Sequence, residues 1–291
     1  MKNRFEFAVN LARQMGNLTL EYFDSDSMDV EKKQDGTPVT KADRGAEALG
    51  RKLIMEAFPD DSILGEELDD KIGSSGWQWV IDPIDGTKSF VHGVPIYSNL
   101  VGVQKIAADG KLEPQIGVIW LPALGRGVCG GMGLGAWEIF NDERKRRPAR
   151  VSSVSRLEDA LFLTTDCYDF DLVGREGAYD ELEEKCRLTR TWGDAYGYYL
   201  VATGRAEIMT DPFFELWDAA PMVPILHEAG GVFGNWQGEE TIEGREGAAT
   251  NGALREKVTE ILRRYPKTKI PRRLEMNLFR IEYNGRFIRR Y

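Results

Sequence analysis

Four acidic residues carry the clearest chemical signal: Glu66 in Gly65-Glu66-Glu67, Asp82 and Asp85 in Asp82-Pro83-Ile84-Asp85-Gly86-Thr87, and Asp218 in Trp217-Asp218-Ala219-Ala220. Asp82 follows the apolar run Trp77-Gln78-Trp79-Val80-Ile81, which reads as a strand delivering the carboxylate to a sheet edge. A second carboxylate three residues on can share a hard cation with it. Mg2+ takes oxygen ligands in near-octahedral geometry, usually one or two carboxylates with waters and substrate phosphate. Asp, Pro and Gly each favour turns as well, so Asp-Pro or Asp-Gly alone signals a turn first. The whole string behind an apolar strand, with Gly65-Glu66-Glu67 upstream, is what points to a metal. Asp218 alone reads as a helix N-terminal residue and gains meaning only beside the others.

The elements that must position these groups follow from periodicity. Phe5, Ala8, Val9, Ala12 and Met15 fall at helical spacing over the first ~23 residues. Residues 25–38 read as a polar loop. Thr40-x-x-Asp43 has the form of a capping box, so a second helix begins there and runs to about Ala57, with Ala46, Leu49, Leu53 and Ile54 inward. Strands are expected at 62–64 and 77–81, then a β-rich stretch from 98 to 140 with a turn at Ala108-Asp109-Gly110. The basic run 143–150 reads as a connection between two halves. Beyond it, strands at 161–165, 190–192 and 207–210 alternate with helices at 177–187, 195–204, 216–229 and 253–264, which indicates an α/β layered arrangement. Gly131-Met132-Gly133-Leu134-Gly135 imitates a nucleotide-binding loop, but the β-like Ala136-Trp137-Glu138-Ile139-Phe140 follows where a helix should open, so a turn is expected.

Bulk properties narrow the class. The 291 residues allow one large domain or two smaller ones, and 42% hydrophobic with 29% charged residues is ordinary for a globular protein. No apolar run approaches the ~20 residues of a membrane helix, and the amino terminus lacks a signal-peptide core. Cys129, Cys167 and Cys186 are odd in number and widely spaced, which favours reduced thiols in a cytoplasmic protein. The net charge of −9 is uneven: residues 265–291 hold eight Lys/Arg against two Asp/Glu, leaving −15 on the remainder. So acidic a body is a poor nucleic-acid binder, although bound cations can reverse the sign locally for an anionic substrate.

The acidic segments, in this order, resemble the signature of the inositol monophosphatase superfamily. Lys33-x-Asp35-x-x-Pro38-Val39-Thr40-x-x-Asp43-x-x-x-Glu47 resembles that family's amino-terminal motif, and the correspondence runs from about residue 5 to residue 264. The resemblance implies an α/β fold of layered αβαβα architecture, like that of the fructose bisphosphatases. An α+β amino-terminal half, residues 1–146, would supply Glu66, Asp82 and Asp85. A carboxy-terminal α/β half, residues 147–265, would supply Asp218, with the active site between them. It further implies that Glu66, Asp82 and the Ile84 carbonyl bind one Mg2+, and that Asp82, Asp85 and Asp218 bind a second. Glu66 would extend to a third. Two metals ~4 Å apart can clamp the attacking and leaving oxygens of an in-line displacement. Water is the implied nucleophile, oriented and deprotonated by Thr87 with Asp43 and by Glu66. Gly86 and Thr87 would bind phosphate through backbone N–H groups at a helix start. Asp43 can serve both this role and the cap. His92 and His227 are read as structural. Homodimerisation and Li+ sensitivity are further expectations.

For the substrate, Lys88-Ser89 stands where inositol monophosphatases typically carry Thr-Asn, and this resembles the histidinol-phosphatase branch. So do Gly193-Asp194-Ala195-Tyr196-Gly197-Tyr198-Tyr199-Leu200 and Asp211-Pro212, although Trp192 departs from the glycine usual there. Asp194 would meet a cationic amine such as histidinol phosphate carries, and Asp211 would line the same pocket. Capping the next helix is the competing role for Asp194. Inositol 1-phosphate, another sugar phosphate and 3′-phosphoadenosine phosphate remain competing substrates, and a non-catalytic phosphoester-binding protein is the alternative of a different class. Past Arg264 the resemblance fades. Residues 278–290, folded about Asn284-Gly285, read as a β-hairpin in a basic tail, packed on the acidic body or a dimer partner.

Overall fold

The computed structural model describes residues 1–25, 30–32 and 38–268. Its first helix, Lys2–Leu20, buries Phe5, Ala8, Val9, Ala12 and Met15 along one face, following their spacing. The second, Lys41–Ala57, opens on a complete capping box in which Thr40 accepts from the Asp43 N–H and Asp43 accepts from the Thr40 N–H at 2.8 Å. Within the stretch expected to be loop, Val30–Lys32 pairs antiparallel with Pro38–Thr40. Lys33, Asp35 and the expected carboxy-terminal hairpin lie outside the described residues.

Seven strands form one sheet in chain order: Ser62–Gly65, Trp77–Asp85, Ser98–Ile106, Leu112–Leu121, Arg126–Gly131, Gly135–Phe140 and Arg146–Pro148. Only the first pair is parallel. The basic run read as a connection therefore contains an edge strand, Arg146–Pro148, and its charge suits an exposed edge. The glycine-rich segment is a hairpin turn. Its Gly133 and Gly135 N–H groups donate to the Glu228 carboxylate at 2.8 and 2.9 Å, so an internal anion fills them.

A second sheet has the order Leu188–Arg190, Leu161–Leu163, Ile208–Asp211, Gly247–Asn251, Gly231–Gly234. The last two strands are not apparent in the sequence, because both are short and rich in Gly or Ala, residues depleted in strands. The expected helix over 216–229 is two, Leu216–Ala219 and Met222–Ala229. Pro221 lacks the N–H an uninterrupted helix requires, so the chain bends there.

Period-two alternation sorts the layers. Val101, Val103, Val118, Trp120 and Cys129 face the helices Lys2–Leu20 and Lys41–Ala57. Leu100, Ile119, Leu121 and Val128 face the opposite way, into a core shared with helices Asp194–Ala202 and Met222–Ala229 and with Leu161, Leu163, Met209, Phe233 and Ala249 of the second sheet. On its far side, Phe162 and Ile208 pack with Phe170, Ala178, Leu182, Val258 and Ile261 from the outer helices Cys167–Leu172, Glu176–Lys185 and Arg255–Arg263. The result is a five-layer αβαβα sandwich.

Candidate metal centre

Strand Trp77–Asp85 carries two of the acidic groups, and a β-bulge brings them together. Asp82 pairs with Leu100 but Asp85 pairs with Ser98, so three steps on one strand match two on the other. In a regular strand, positions three apart point to opposite faces; the extra residue resets the alternation. Asn99 holds the bulge by donating to the Pro83 carbonyl at 2.6 Å, and the Ile84 N–H donates to Asp82 Oδ1 at 3.0 Å. Asp218 arrives from the short helix Leu216–Ala219, which packs on strands Trp77–Asp85 and Ser98–Ile106. Oxygens of Asp82, Asp85 and Asp218 all lie within 4.8 Å of one another.

Such crowding has an electrostatic signature. Burial, then repulsion from Glu66, Asp85 and Asp218, pushes the Asp82 carboxyl well above its ordinary value. Burial and the Asp218 charge raise Asp85 to about 7, against stabilising bonds from the Ala195 N–H at 2.7 Å and the Ser98 hydroxyl at 2.8 Å. Asp218 rises to about 8 through burial and the charges of Glu66 and Glu215, opposed by the Glu215 N–H at 2.9 Å. Clustered carboxylates must either take up protons or hold a cation between them. The donors are all hard oxygens, which fits a divalent cation of the Mg2+ type.

Glu66 is placed by residues the sequence reading left without a role. Glu47, fully buried, accepts from the Glu67 N–H at 2.7 Å, the Leu68 N–H at 3.2 Å and Arg51 Nε at 2.7 Å, while Arg51 also donates to the Leu68 carbonyl at 3.0 Å. A side chain on Gly65 would meet Glu47 Oε1 at 1.9 Å, so glycine is required there. Glu47 closes the amino-terminal motif, but only the fold shows that it and Arg51 grip the 66–68 loop. Asp43 Oδ2 accepts from the Thr40 N–H at 2.8 Å and the Thr40 hydroxyl at 2.6 Å, so its capping role is filled. Thr87 donates its hydroxyl proton to the Ile84 carbonyl at 3.1 Å. Gly86, with φ 77°, is the left-handed residue that opens helix Thr87–Val91.

A second acidic group borders the first across a cavity of about 100 Å3 lined by Asp85, Asp194, Asp211, Asp218, Asp169 and Thr165, among others. Asp194 opens helix Asp194–Ala202 at φ 52°, a strained left-handed position for a residue with a side chain. Its N–H donates to Thr165 Oγ1 at 2.9 Å, and its carboxylate accepts from Ser89 Oγ at 3.4 Å. That carboxylate lies against Gly86, where a methyl group would meet Oδ2 at 2.7 Å. Burial and the Asp85 charge raise Asp194 to about 7, with Lys88 opposing. Asp211 is already satisfied by Thr164 Oγ1 at 3.2 Å, the Thr165 N–H at 2.9 Å and the Tyr198 hydroxyl at 2.9 Å. Asp169 and Thr165 escaped the sequence reading because nothing local marks them. The fold brings Glu66, Asp82, Asp85 and Asp218 into electrostatic contact and sets Asp194 beside Gly86. His227 lies 4.0 Å from Glu240, and His92 is exposed.

Comparison with known proteins agrees with this geometry. The profile of the inositol monophosphatase family matches residues 1–267. A histidinol-phosphatase of Chlorobaculum parvum is 39% identical over 86% of this chain and 92% of its own length. A histidinol-phosphatase of Streptomyces coelicolor is 36% identical over 82% of this chain and 89% of its own. Among solved structures, the inositol monophosphatase from Anabaena (Nostoc) sp. PCC 7120 superposes with a TM-score of 0.76 at 27% identity, covering 92% of this chain and 98% of that one.

Proposed function

The chain belongs to the inositol monophosphatase family and is a phosphomonoester hydrolase, and from that premise we propose that it converts L-histidinol phosphate to L-histidinol and phosphate with Mg2+ as cofactor. The observation that carries the reading is Asp194, whose carboxylate sits against Gly86 on the wall shared with Asp85 and Asp218. A zwitterionic substrate brings an ammonium group to such a wall; a polyol leaves the buried charge unpaired. The names of the two histidinol-phosphatase relatives support the same choice.

In this reading Glu66, Asp82, Asp85, Asp218 and the Ile84 carbonyl hold Mg2+, two ions or three. When bound, Mg2+ polarises the phosphoryl oxygens and makes a water more acidic. The chain supplies the rest. Backbone N–H groups of Gly86 and Thr87 take phosphate oxygens. Thr87, its proton committed to Ile84, offers a lone pair that orients the attacking water, a task in which Asp43 is proposed to join it. Glu66 accepts the water's proton. Asp194 pairs with the substrate amine. Asp211, its oxygens filled from within, contributes negative field rather than direct contact.

Steady-state hydrolysis of histidinol phosphate, inositol 1-phosphate and 3′-phosphoadenosine phosphate, each with and without Mg2+, tests the proposal. Histidinol phosphate should give the highest kcat/KM, and every activity should need the metal. Asp194→Asn should lower kcat/KM for histidinol phosphate roughly tenfold to hundredfold while barely changing inositol 1-phosphate. A preference for inositol 1-phosphate, or an equal loss on both substrates, overturns the assignment.

A further inference from the structure

Three glycines lie side by side across the seven-stranded sheet. Gly102 pairs with Gly117 and Gly117 with Gly130, so they form one row over strands Ser98–Ile106, Leu112–Leu121 and Arg126–Gly131. All three face the central helical layer, on the side of Leu100, Ile119 and Val128. The row is filled by backbone. A methyl group on Gly102 would lie 2.6 Å from Ala220 Cβ, one on Gly117 would lie 2.0 Å from the Pro221 carbonyl oxygen, and one on Gly130 would lie 2.6 Å from Ile225 Cα. Segment 220–225 thus runs in a trough that no side chain interrupts. It begins two residues after Asp218.

We infer that Gly102, Gly117 and Gly130 are positioning residues for the metal centre: they set how closely the segment carrying Asp218 approaches strand Trp77–Asp85. The inference rests on the reading of Asp218 as a metal ligand. Asp218 belongs to a different part of the chain from Asp82 and Asp85, and its short helix has only four residues. So short a helix has little rigidity of its own and takes its height above the sheet from what lies beneath it. Ala220, which touches Gly102, is buried in a small cluster with Leu64 and Val80. The neighbouring strand shows the trough's limit: Gly130 pairs with Ala136, a residue with a Cβ, where segment 220–225 has passed. Gly102→Ala would place carbon against the rigid Ala220 Cβ, and relief requires lifting residues 218–220 away from the other two carboxylates. A shift under an ångström suffices to spoil an octahedral cation site.

The test measures Mg2+ binding by calorimetry and Mn2+ binding by paramagnetic resonance, neither of which depends on turnover. Wild-type protein should bind; if it does not, the metal-ligand reading of Asp218 fails before the trough is in question. Gly102→Ala should weaken both ions by at least about tenfold, with the fold retained by circular dichroism. Adding Ala220→Gly, which removes the atom the new methyl strikes, should restore most of the affinity. Gly131→Ala is the control, since its methyl would press on Phe5 on the opposite face of the same sheet. It should cost stability without changing affinity. Should Gly102→Ala prove insoluble, Ala220→Ser pushes on the same contact from the other side and is read in the same way. Wild-type affinity in Gly102→Ala, failure of Ala220→Gly to restore binding, or equal weakening by Gly131→Ala overturns the inference.

Discussion

At the scale of single residues, Asp82 stands where most of the repulsion converges, pushed upward by Glu66, Asp85 and Asp218 together. Removing its charge relieves that repulsion but takes away the group common to both proposed cation sites. Asp82→Asn should therefore fold at least as well as the wild type without metal, and lose at least ~100-fold in kcat, about 2.7 kcal/mol of barrier. Turnover above a few per cent of wild type in Mg2+ would contradict the shared-ligand assignment. These four acids were legible in the sequence because each sits in a short motif whose neighbours set its local geometry. The role of Glu47 was not, nor were Arg51, Asp169 and the three trough glycines, since their partners are distant in the chain and a glycine announces nothing about what will lie against it. Asp211 was legible as a wall residue. That its own neighbours satisfy it could not be read, because Tyr198 and Thr165 reach it only in the fold.

Among the elements, the tie between the first helix and the sheet has a pH dependence of definite sign. Asp61 accepts from Arg4 Nε at 2.9 Å, Arg4 Nη2 at 2.8 Å, Ser75 Oγ at 2.7 Å and Trp79 Nε1 at 2.9 Å. Burial alone would raise its pKa, but Arg4, Ser75 and Trp79 outweigh it and hold the carboxyl below its ordinary value of 3.8. A depressed value means the carboxylate's stabilisation is fully present above pH ~4 and is lost as pH falls through the folded value. Asp61→Asn should cost roughly 2 kcal/mol in urea unfolding at pH 7. The gap to wild type should close on acidification below about pH 4. A gap that stays constant down to pH 3 would show that the charge contributes nothing. The long amphipathic helices and the alternating strands were legible from period alone. The short glycine-containing strands Gly231–Gly234 and Gly247–Asn251 and the break at Pro221 were not, since tertiary pairing and a single missing N–H decide them.

Across the whole molecule, one core is built from both sheets and the two helices between them, so neither half owns a complete interior. Unfolding should be cooperative as a result. The start of the basic tail is stitched to this body: the Tyr265 hydroxyl donates to Glu181 at 3.0 Å, Lys267 pairs with Glu246 at 3.3 Å, and the Thr268 N–H donates to the Val173 carbonyl at 3.0 Å. Glu246 in turn accepts from the buried Arg175 at 2.7 Å, whose guanidinium lies 4.0 Å from the Trp236 ring. Ending the chain at Arg264 should lower Tm by a few degrees, ~2–4 °C per kcal/mol at this size, and leave kcat per folded molecule unchanged. An unaltered Tm would mean these contacts carry no weight. The layer order followed from the resemblance to a known family; composition and periodicity alone reached only an α/β arrangement.

The β-bulge supplies Asp82 and Asp85 early in the chain, whereas Asp218 comes late, from beyond the second sheet's first three strands. A ribosome adding ~5–20 residues per second therefore takes roughly 7 to 27 seconds to pass from Asp85 to the third carboxylate. During that interval the proposed site of Asp82, Asp85 and Asp218 is incomplete, whereas Glu66, Asp82 and Ile84 are already in the chain. Under the proposed ligand assignment, a cation held through Asp218 acts as a late seal on a nearly finished fold.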